Sequence, residues 1–202
     1  NYLLRSAKDI TRVFREAFFI ARTGRPGPVL IDLPRDVTVD EVEFSWPEVE
    51  LPGYRPSFKA HEMQIKKAAK ALMEAERPVI YVGGGVKYAS AERELIELAV
   101  KINAPVTTTL MGVGCFPEDH PLSLGMLGMH GKSIANQAIF DSDLLIIIGA
   151  RVSDRAVLLP ANVGKNTRIV HIDIDPAEIG KNVSTLIPVV GDAKEVLTQI
   201  ME

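Results

Sequence analysis

The chain has 202 residues, 47% of them apolar and 24% charged, a balance that supports a packed core and excludes disordered, collagen-like and disulfide-scaffold classes. Basic and acidic side chains number 23 and 26, a formal charge of −3, and no run of basic residues interleaved with aromatics points to nucleic acid as a partner. The lone Cys115 cannot form an internal disulfide, and the longest apolar runs, Leu144 to Ile148 and Val79 to Val82, are far too short to span a membrane, so a reducing, cytoplasmic setting with no membrane partner is expected.

The first residue, Asn1, is neither an initiator Met nor part of a signal peptide, and the chain is expected to be a piece of a longer protein. From Ser6 to Thr23 the apolar positions Ile10, Val13, Phe14, Ala17, Phe18 and Ala21 repeat at helical spacing, with Ser6 and Asp9 as a capping box and Gly24 as a stop. Phe14 and Phe18 are expected in the core. The turn Arg25-Pro26-Gly27-Pro28 leads into Val29 to Leu33, a continuous apolar run of the kind that forms a strand buried on both faces. Residues 41–58 carry Pro47, Pro52 and Pro56 without sustained periodicity and read as a linker between residues 1–40 and residues 59–202.

Beyond the linker the pattern alternates. A helix from about His61 to Glu76, with Ile65, Ala68, Ala69, Leu72 and Met73 on one face, precedes a strand at Pro78 to Val82. A helix bearing Leu95, Leu98, Ala99 and Ile102 precedes a strand at Ala104 to Leu110. A glycine-rich stretch to Gly131 and a short helix to Phe140 follow. Strands at Asp143 to Gly149, Arg168 to Ile174 and Ile187 to Val190 come next, and a closing helix capped by Asp192 buries Val196, Leu197 and Ile200. Strands separated by crossover helices pair in parallel, so residues 59–202 are expected to be an α/β, Rossmann-like sheet of about six strands with helices on both faces.

In such a sheet ligands bind outside the carboxyl ends of the strands. Those positions hold Gly83-Gly84-Gly85, Thr109-Leu110-Met111-Gly112, Gly149-Ala150-Arg151, Asp173-Ile174-Asp175 and Gly191-Asp192. Glycines let backbone amides approach a phosphate, Arg151 can pair with it and Asp173 can accept from a ribose, so nucleotide binding is the chemistry implied. Each signal also has a plain structural reading. The glycine triplet is not a complete dinucleotide fingerprint, since Tyr88 stands at the third glycine position, and by itself it is a tight strand-to-helix turn. Arg151 and Arg155 can be solvated charges, and Asp173 and Asp175 can cap the helix start before Pro176. His130 lacks further ligands at metal spacing, so no metal site is expected in this chain, and Cys115 reads as a small core residue.

The strings RTGRPGPVLIDLPRDV (Arg22 to Val37), YVGGG, TTTLMGVG, HPLSLGMLGMHG, DLLIIIGARVSDR and HIDIDPAEIGKN together resemble the acetolactate synthase family across nearly the whole chain. Members of that family have three α/β domains and bind thiamine diphosphate, Mg²⁺ and FAD. The resemblance implies that residues 1–40 are the last helix and strand of a pyrimidine-binding domain and that residues 59–202 are the central, FAD-binding domain. It implies that Arg25 reaches the flavin nucleotide and that Gly83, Gly84 and Gly85 let the backbone pass its pyrophosphate. Thr109, Leu110 and Met111, with Leu127, Gly128, Met129 and His130, would wall the flavin. Gly149, Arg151, Arg155 and Ala156 match its GARxxDR segment, Asp173 and Ile174 the ribose and adenine end, and Asp192 with Ala193 the last loop. Arg155, oriented by Asp154, would also face the second 2-oxo acid substrate. The chain departs from the family with Ser153 where an aspartate is common, and with Ala156-Val157-Leu158-Leu159-Pro160 where Val-Thr-Gly is common.

The family's thiamine and Mg²⁺ motif, Gly-Asp-Gly followed after a spacer by Asn, is absent, since Gly191-Asp192 runs into Ala193. The thiamine diphosphate and Mg²⁺ sites would therefore lie outside this chain, no catalytic residue is assigned within it, and the piece alone is expected to be inactive. The parent enzyme would condense pyruvate with a second 2-oxo acid in branched-chain amino-acid biosynthesis, as a homodimer or homotetramer with a possible small regulatory subunit. Alternatives are a flavin-dependent pyruvate oxidase and a stand-alone module binding ADP.

Overall fold

The computed structural model describes residues 1–153 and 167–202. Two compact units emerge, Asn1–Pro56 and Ser57–Glu202. Among the described residues no helix is long and apolar enough to cross a membrane.

The first unit contains β1 (Tyr2–Leu3), α1 (Ile10–Arg22), β2 (Ile31–Asp32) and α2 (Arg35–Val39). β1 and β2 pair in parallel, Tyr2 opposite Ile31. A small core of Leu4, Ala7, Val13 and Val37 holds them, with Tyr2, Ile10, Phe14 and Ile31 partly buried against it. Three expectations are corrected here. The strand predicted over Val29 to Leu33 shrinks to Ile31–Asp32, and Leu30 and Leu33 are exposed, because among the described residues β2 pairs only with the two-residue β1. Phe18 is 64% exposed, since the stripe of α1 that meets the core runs through Val13, Glu16 and Ala17. The capping box does not form: Ser6 caps a 3₁₀ turn at Ala7–Asp9 by accepting from the Lys8 amide, whereas Asp9 pairs with Arg12. Residues 41–56 contain no helix or strand, and Tyr54 closes back on α1 by donating its hydroxyl to the Thr23 carbonyl at 2.9 Å.

The second unit follows the alternation expected from sequence. It comprises α3 (Glu62–Glu74), β3 (Pro78–Val82), α4 (Gly84–Tyr88), α5 (Glu92–Lys101), β4 (Val106–Thr108) and β5 (Ser123–Met126). These are followed by α6 (Ser133–Asp141), β6 (Leu144–Ile148), β7 (Arg168–Asp173), β8 (Ile187–Val190) and α7 (Ala193–Met201). Among the described residues the sheet has six strands, all parallel, in the order β5-β4-β3-β6-β7-β8. The sixth strand, β5, was not among the sequence-assigned ones. It lies inside the glycine-rich stretch, and Gly125 with φ +75° interrupts any apolar pattern there.

β3 and β6 are buried at every position, and alternate side chains serve two layers. Ile80, Val82, Ile146, Ile148, Val170 and Ile172 meet α3, α5 and α7 through Leu72, Leu95, Leu98, Val196 and Leu197. Val79, Tyr81, Leu145, Ile147 and Ile169 point the other way and pack with Ile139 of α6, Leu127, Ala150, Val152 and Val183. Each such Leu or Ile contributes about 1.5–3 kcal/mol relative to exposure. Met73, expected on the buried face of α3, is 81% exposed, while Ala71 takes a buried place beside Leu72. At the amino ends of the strands, both carboxylate oxygens of Asp143 accept backbone amides, from Glu76 at 2.9 Å and Arg77 at 2.8 Å, tying the entry of β6 to the entry of β3.

Candidate nucleotide crevice at the carboxyl edge

The chain winds from β3 outward through β4 to β5, and from β6 outward through β7 to β8, so the β3/β6 pair is the point at which strand order reverses. The chain leaving β3 packs on one face of the sheet and the chain leaving β6 on the other, and the edge between them is the crevice position at which open parallel sheets usually bind their ligands. Its floor is built from glycines pressed together. The Gly83 amide donates to the Ile148 carbonyl at 2.9 Å and the Gly85 amide to the Gly149 carbonyl at 3.0 Å. A Cβ on Gly83 would fall 2.2 Å from the Gly149 oxygen, and one on Gly85 2.6 Å from the Gly149 Cα. Gly149 itself has φ +56°. The floor therefore carries no side chains over this stretch, and self-packing alone already demands glycine at Gly83 and Gly85.

Beside the floor, the Thr109 amide donates to the Val82 carbonyl at 2.8 Å and its hydroxyl accepts from the Gly112 amide at 3.0 Å. This short 3₁₀ turn leaves Leu110 and Met111 exposed at 74% and 63%. Gly84, half-buried, faces Met111, whose Cβ would sit 3.2 Å from an added Cβ. After β5, the Leu127 side chain turns into the core, and Gly128, with φ +107°, is bracketed by the Asn136 amide, which accepts from the Gly128 amide at 3.0 Å and donates to its carbonyl at 3.2 Å. Met129 and His130 on that loop are exposed. Asn136 was not foreseen: eight residues from Gly128 and on a helix, it gives no pattern that sequence spacing would single out.

Across the crevice, Arg151 is exposed, two residues beyond Gly149. Asp173, at the end of β7, is buried and its carboxylate accepts the Asp175 amide at 2.9 Å, closing a tight turn before Pro176, and Ile174 is half-buried. Asp192 accepts the Lys194 and Glu195 amides as the cap of α7, and Ala193 packs in the core, so both have structural work of their own. Arg25 is exposed in the first unit. Asp154, Arg155 and Ala156 lie outside the described residues. The structure thus brings the glycines, Thr109 to Met111, Arg151 and Asp173 to one edge of one sheet.

The residues present fit a nucleotide with a flat ring. A side-chain-free floor admits a diphosphate, one exposed guanidinium can face it, and the exposed apolar side chains of Leu110, Met111 and Met129 have no role in a monomer's core and suit an aromatic ring system. Cys115 is buried in the apolar core and burial pushes its thiol pKa up, as expected for a packing residue.

Residues 65–200 match the family described as the thiamine pyrophosphate enzyme, central domain. The chain belongs to the thiamine pyrophosphate enzyme family. Among curated proteins it is 54% identical over its whole length to the probable acetolactate synthase large subunit of Methanocaldococcus jannaschii, of which it covers 35%. It is 49% identical, again over its whole length, to the acetolactate synthase large subunit of Corynebacterium glutamicum, covering 32% of it. The chain therefore spans about a third of the length of these relatives. A solved structure from Mycobacterium smegmatis, assigned to the thiamin diphosphate-dependent enzymes, superposes with a TM-score of 0.83 at 26% identity, over 99% of this chain and 38% of that one. The Rossmann-like reading of the second unit and the resemblance of the chain to acetolactate synthases both agree with these matches.

Proposed function

We propose that this chain is the central part of an acetolactate synthase large subunit and that residues 59–202 hold FAD in the β3/β6 crevice. In this reading residues 1–40 are the end of the pyrimidine-binding domain and residues 41–58 the linker to the central one. The observation that carries the flavin assignment is the pairing of a glycine floor at Gly83, Gly85 and Gly149 with exposed apolar side chains at Leu110, Met111 and Met129 on the adjoining loops. The identity of about half to synthase large subunits carries the reaction.

In this arrangement the backbone of Gly83 to Gly85 passes the diphosphate and the Arg151 guanidinium pairs with it. Leu110, Met111 and Met129 shield the ring from water, the Leu127–Gly128 backbone held by Asn136 completes that wall beside His130, and Asp173 with Ile174 receives the ribose and adenine. Thr109 fixes the turn that presents Leu110 and Met111. Bound FAD supplies a flat heteroaromatic ring and a redox couple, and a decarboxylating condensation of two 2-oxo acids has no net oxidation for that couple to serve. Arg155 and Asp154 bind and orient the carboxylate of the second substrate. Thiamine diphosphate and Mg²⁺, with the chemistry they supply, belong to parts of the complete protein outside this chain, so the piece alone is inactive. The complete enzyme acts as a cytoplasmic homodimer or homotetramer. That the relatives are called large subunits supports a smaller regulatory partner.

The test is to purify the complete protein, release and identify its cofactor, and follow product from pyruvate with thiamine diphosphate and Mg²⁺ supplied. Stoichiometric FAD together with acetolactate formation is expected. Folded protein that takes up no flavin overturns the crevice assignment, and flavoprotein that oxidises pyruvate without condensing it overturns the reaction.

A further inference from the structure

The face of the sheet that packs with α6 carries one row of side chains that the flavin reading leaves unused. Tyr81 of β3 lies opposite Ile147 of β6, which lies opposite His171 of β7. His171 is 1% exposed, and among the described residues neither ring nitrogen makes a hydrogen bond of normal geometry. A buried imidazole without a partner is costly, so its place needs a reason. The chain leaving β6 provides one. Gly149, its amide held by the Ile172 carbonyl at 2.9 Å, adopts φ +56° and turns the backbone over this face, so that Ala150 and Val152 pack in the same apolar cluster as Tyr81 and Ile147. The Ala150 backbone carbonyl comes to bear on the His171 ring, and Arg151 follows at the crevice.

We propose that His171 is a positioning residue, whose imidazole lies under Ala150 and holds the turn Gly149-Ala150-Arg151 in place at the crevice. The inference rests on the reading that this crevice receives the flavin nucleotide. In this proposal one ring N–H donates to the Ala150 carbonyl once a ligand draws Arg151 inward, a bond that neither ring nitrogen completes in the structure itself. The surroundings keep the ring neutral. Burial lowers its pKa, and the Ala150 carbonyl and the Glu178 carboxylate, which favour the charged form, do not overcome it. Among the described residues, the register neighbours of the ring are the uncharged Ile147 of β6 and Pro188 of β8, the Tyr81 phenol lies one strand further away on β3, and Asp173 stands two residues further along β7. Burial of Tyr81 raises its pKa, so it brings no charge either. Protonating His171 puts a charge in an apolar layer, and solvating it requires the overlying turn to open.

The experiment is a flavin titration of the complete protein beside His171→Phe and His171→Gln, from about pH 8 down to about pH 5, which reaches below the ordinary imidazole value because burial lowers that of His171. Amide exchange over residues 150–153 is followed at the higher pH. Wild type is expected to lose flavin affinity as the pH falls. His171→Phe fills the volume without a donor, and should bind FAD up to about tenfold more weakly, the loss of one hydrogen bond, with faster exchange in the turn. His171→Gln keeps a neutral donor and should restore affinity while abolishing the acid-dependent loss. A folded His171→Phe variant with wild-type affinity, exchange and pH profile overturns the proposal, as does a His171→Gln variant that retains the acid-dependent loss. Should His171→Phe fail to fold, the pH profile of His171→Gln decides. Should wild type bind no flavin, the crevice reading falls, and exchange across the turn alone decides whether His171 positions it.

Discussion

Gly83 and Gly149 touch so closely that a single methyl group between them has nowhere to go: a Cβ on Gly83 would stand 2.2 Å from the Gly149 carbonyl oxygen and 2.5 Å from the Ala150 Cα. Both obstacles are backbone, so relief requires the loops after β3 and β6 to separate. Gly83→Ala is expected to destabilise the protein by about 3 kcal/mol, at the upper end of overpacking costs. Gly114→Ala is the comparison. Gly114 has φ +88° but nothing within 4 Å of its missing Cβ, so only backbone strain, about 1 kcal/mol or a little more, should appear. Chemical denaturation of both variants checks this, and equal midpoints would contradict the close approach.

The Asp143 carboxylate, accepting the amides of Glu76 and Arg77, joins the amino ends of the two central strands. Partial burial pushes its pKa up, but the two amides and Arg168 more than offset that, and the net shift is downward. A carboxyl with a depressed folded pKa stabilises the protein above its unfolded pKa, near 4, and that stabilisation disappears as the pH falls through the folded value. Asp143→Ala should cost about 1–2 kcal/mol at neutral pH, allowing for solvent exposure of the site. Unfolding midpoints of wild type and variant should converge below about pH 4. A difference independent of pH would mean that the ionised carboxylate is not the partner of these amides.

Much of the second unit was legible in its sequence because burial and periodicity agree there. Pro78–Val82 and Leu144–Ile148 are runs with no polar interruption, and buried parallel strands need nothing else. What escaped was set by partners far away in sequence. β5 carries Gly125 at positive φ and is a strand only because β4 offers it an edge, and Asn136 matters only because the fold sets it against Gly128. In the first unit the apolar run of Val29 to Leu33 promised two covered faces, and the unit supplies one small core on one side. At the crevice the residue types were readable, yet two of the three glycines in Gly83 to Gly85 are required by the neighbouring loop before any ligand is considered. Asp192 was read both as a helix cap and as a nucleotide residue, and the structure displays the cap.

Arg151 separates the phosphate role from the fold. It is exposed, so Arg151→Ala should leave the unfolding midpoint within about 0.5 kcal/mol of wild type, as surface changes do. If its guanidinium pairs with the flavin diphosphate, affinity for FAD should fall by about 1.5–3 kcal/mol, typical of a hydrogen bond to a charged group. Arg151→Lys should recover only part of this, since an ammonium cannot reproduce the paired geometry of a guanidinium. Chemical denaturation gives the midpoint and flavin fluorescence titration of the complete protein the affinity, and an unchanged Kd in Arg151→Ala refutes the assignment.

Arg155 tests whether the substrate reading can be separated from the cofactor reading. A 2-oxo acid offers a carboxylate, which a planar guanidinium binds through two parallel hydrogen bonds, and the GARxxDR resemblance puts Arg155 forward for that place. If Arg155 binds the second substrate, Arg155→Ala should lower kcat/KM for that substrate by about 2–4 kcal/mol, comparable to removing one charge-stabilising donor. Retention of FAD should change far less, because Arg151 remains to face the diphosphate. A cofactor role inverts the pattern: flavin is lost, and the fraction of enzyme that keeps it condenses substrate at the wild-type rate. Steady-state kinetics at saturating pyruvate cannot tell these apart, because both lower the bulk rate. Kinetics normalised to bound flavin, measured with the second substrate varied, can, and a wild-type kcat/KM per flavin in Arg155→Ala would remove Arg155 from the substrate site.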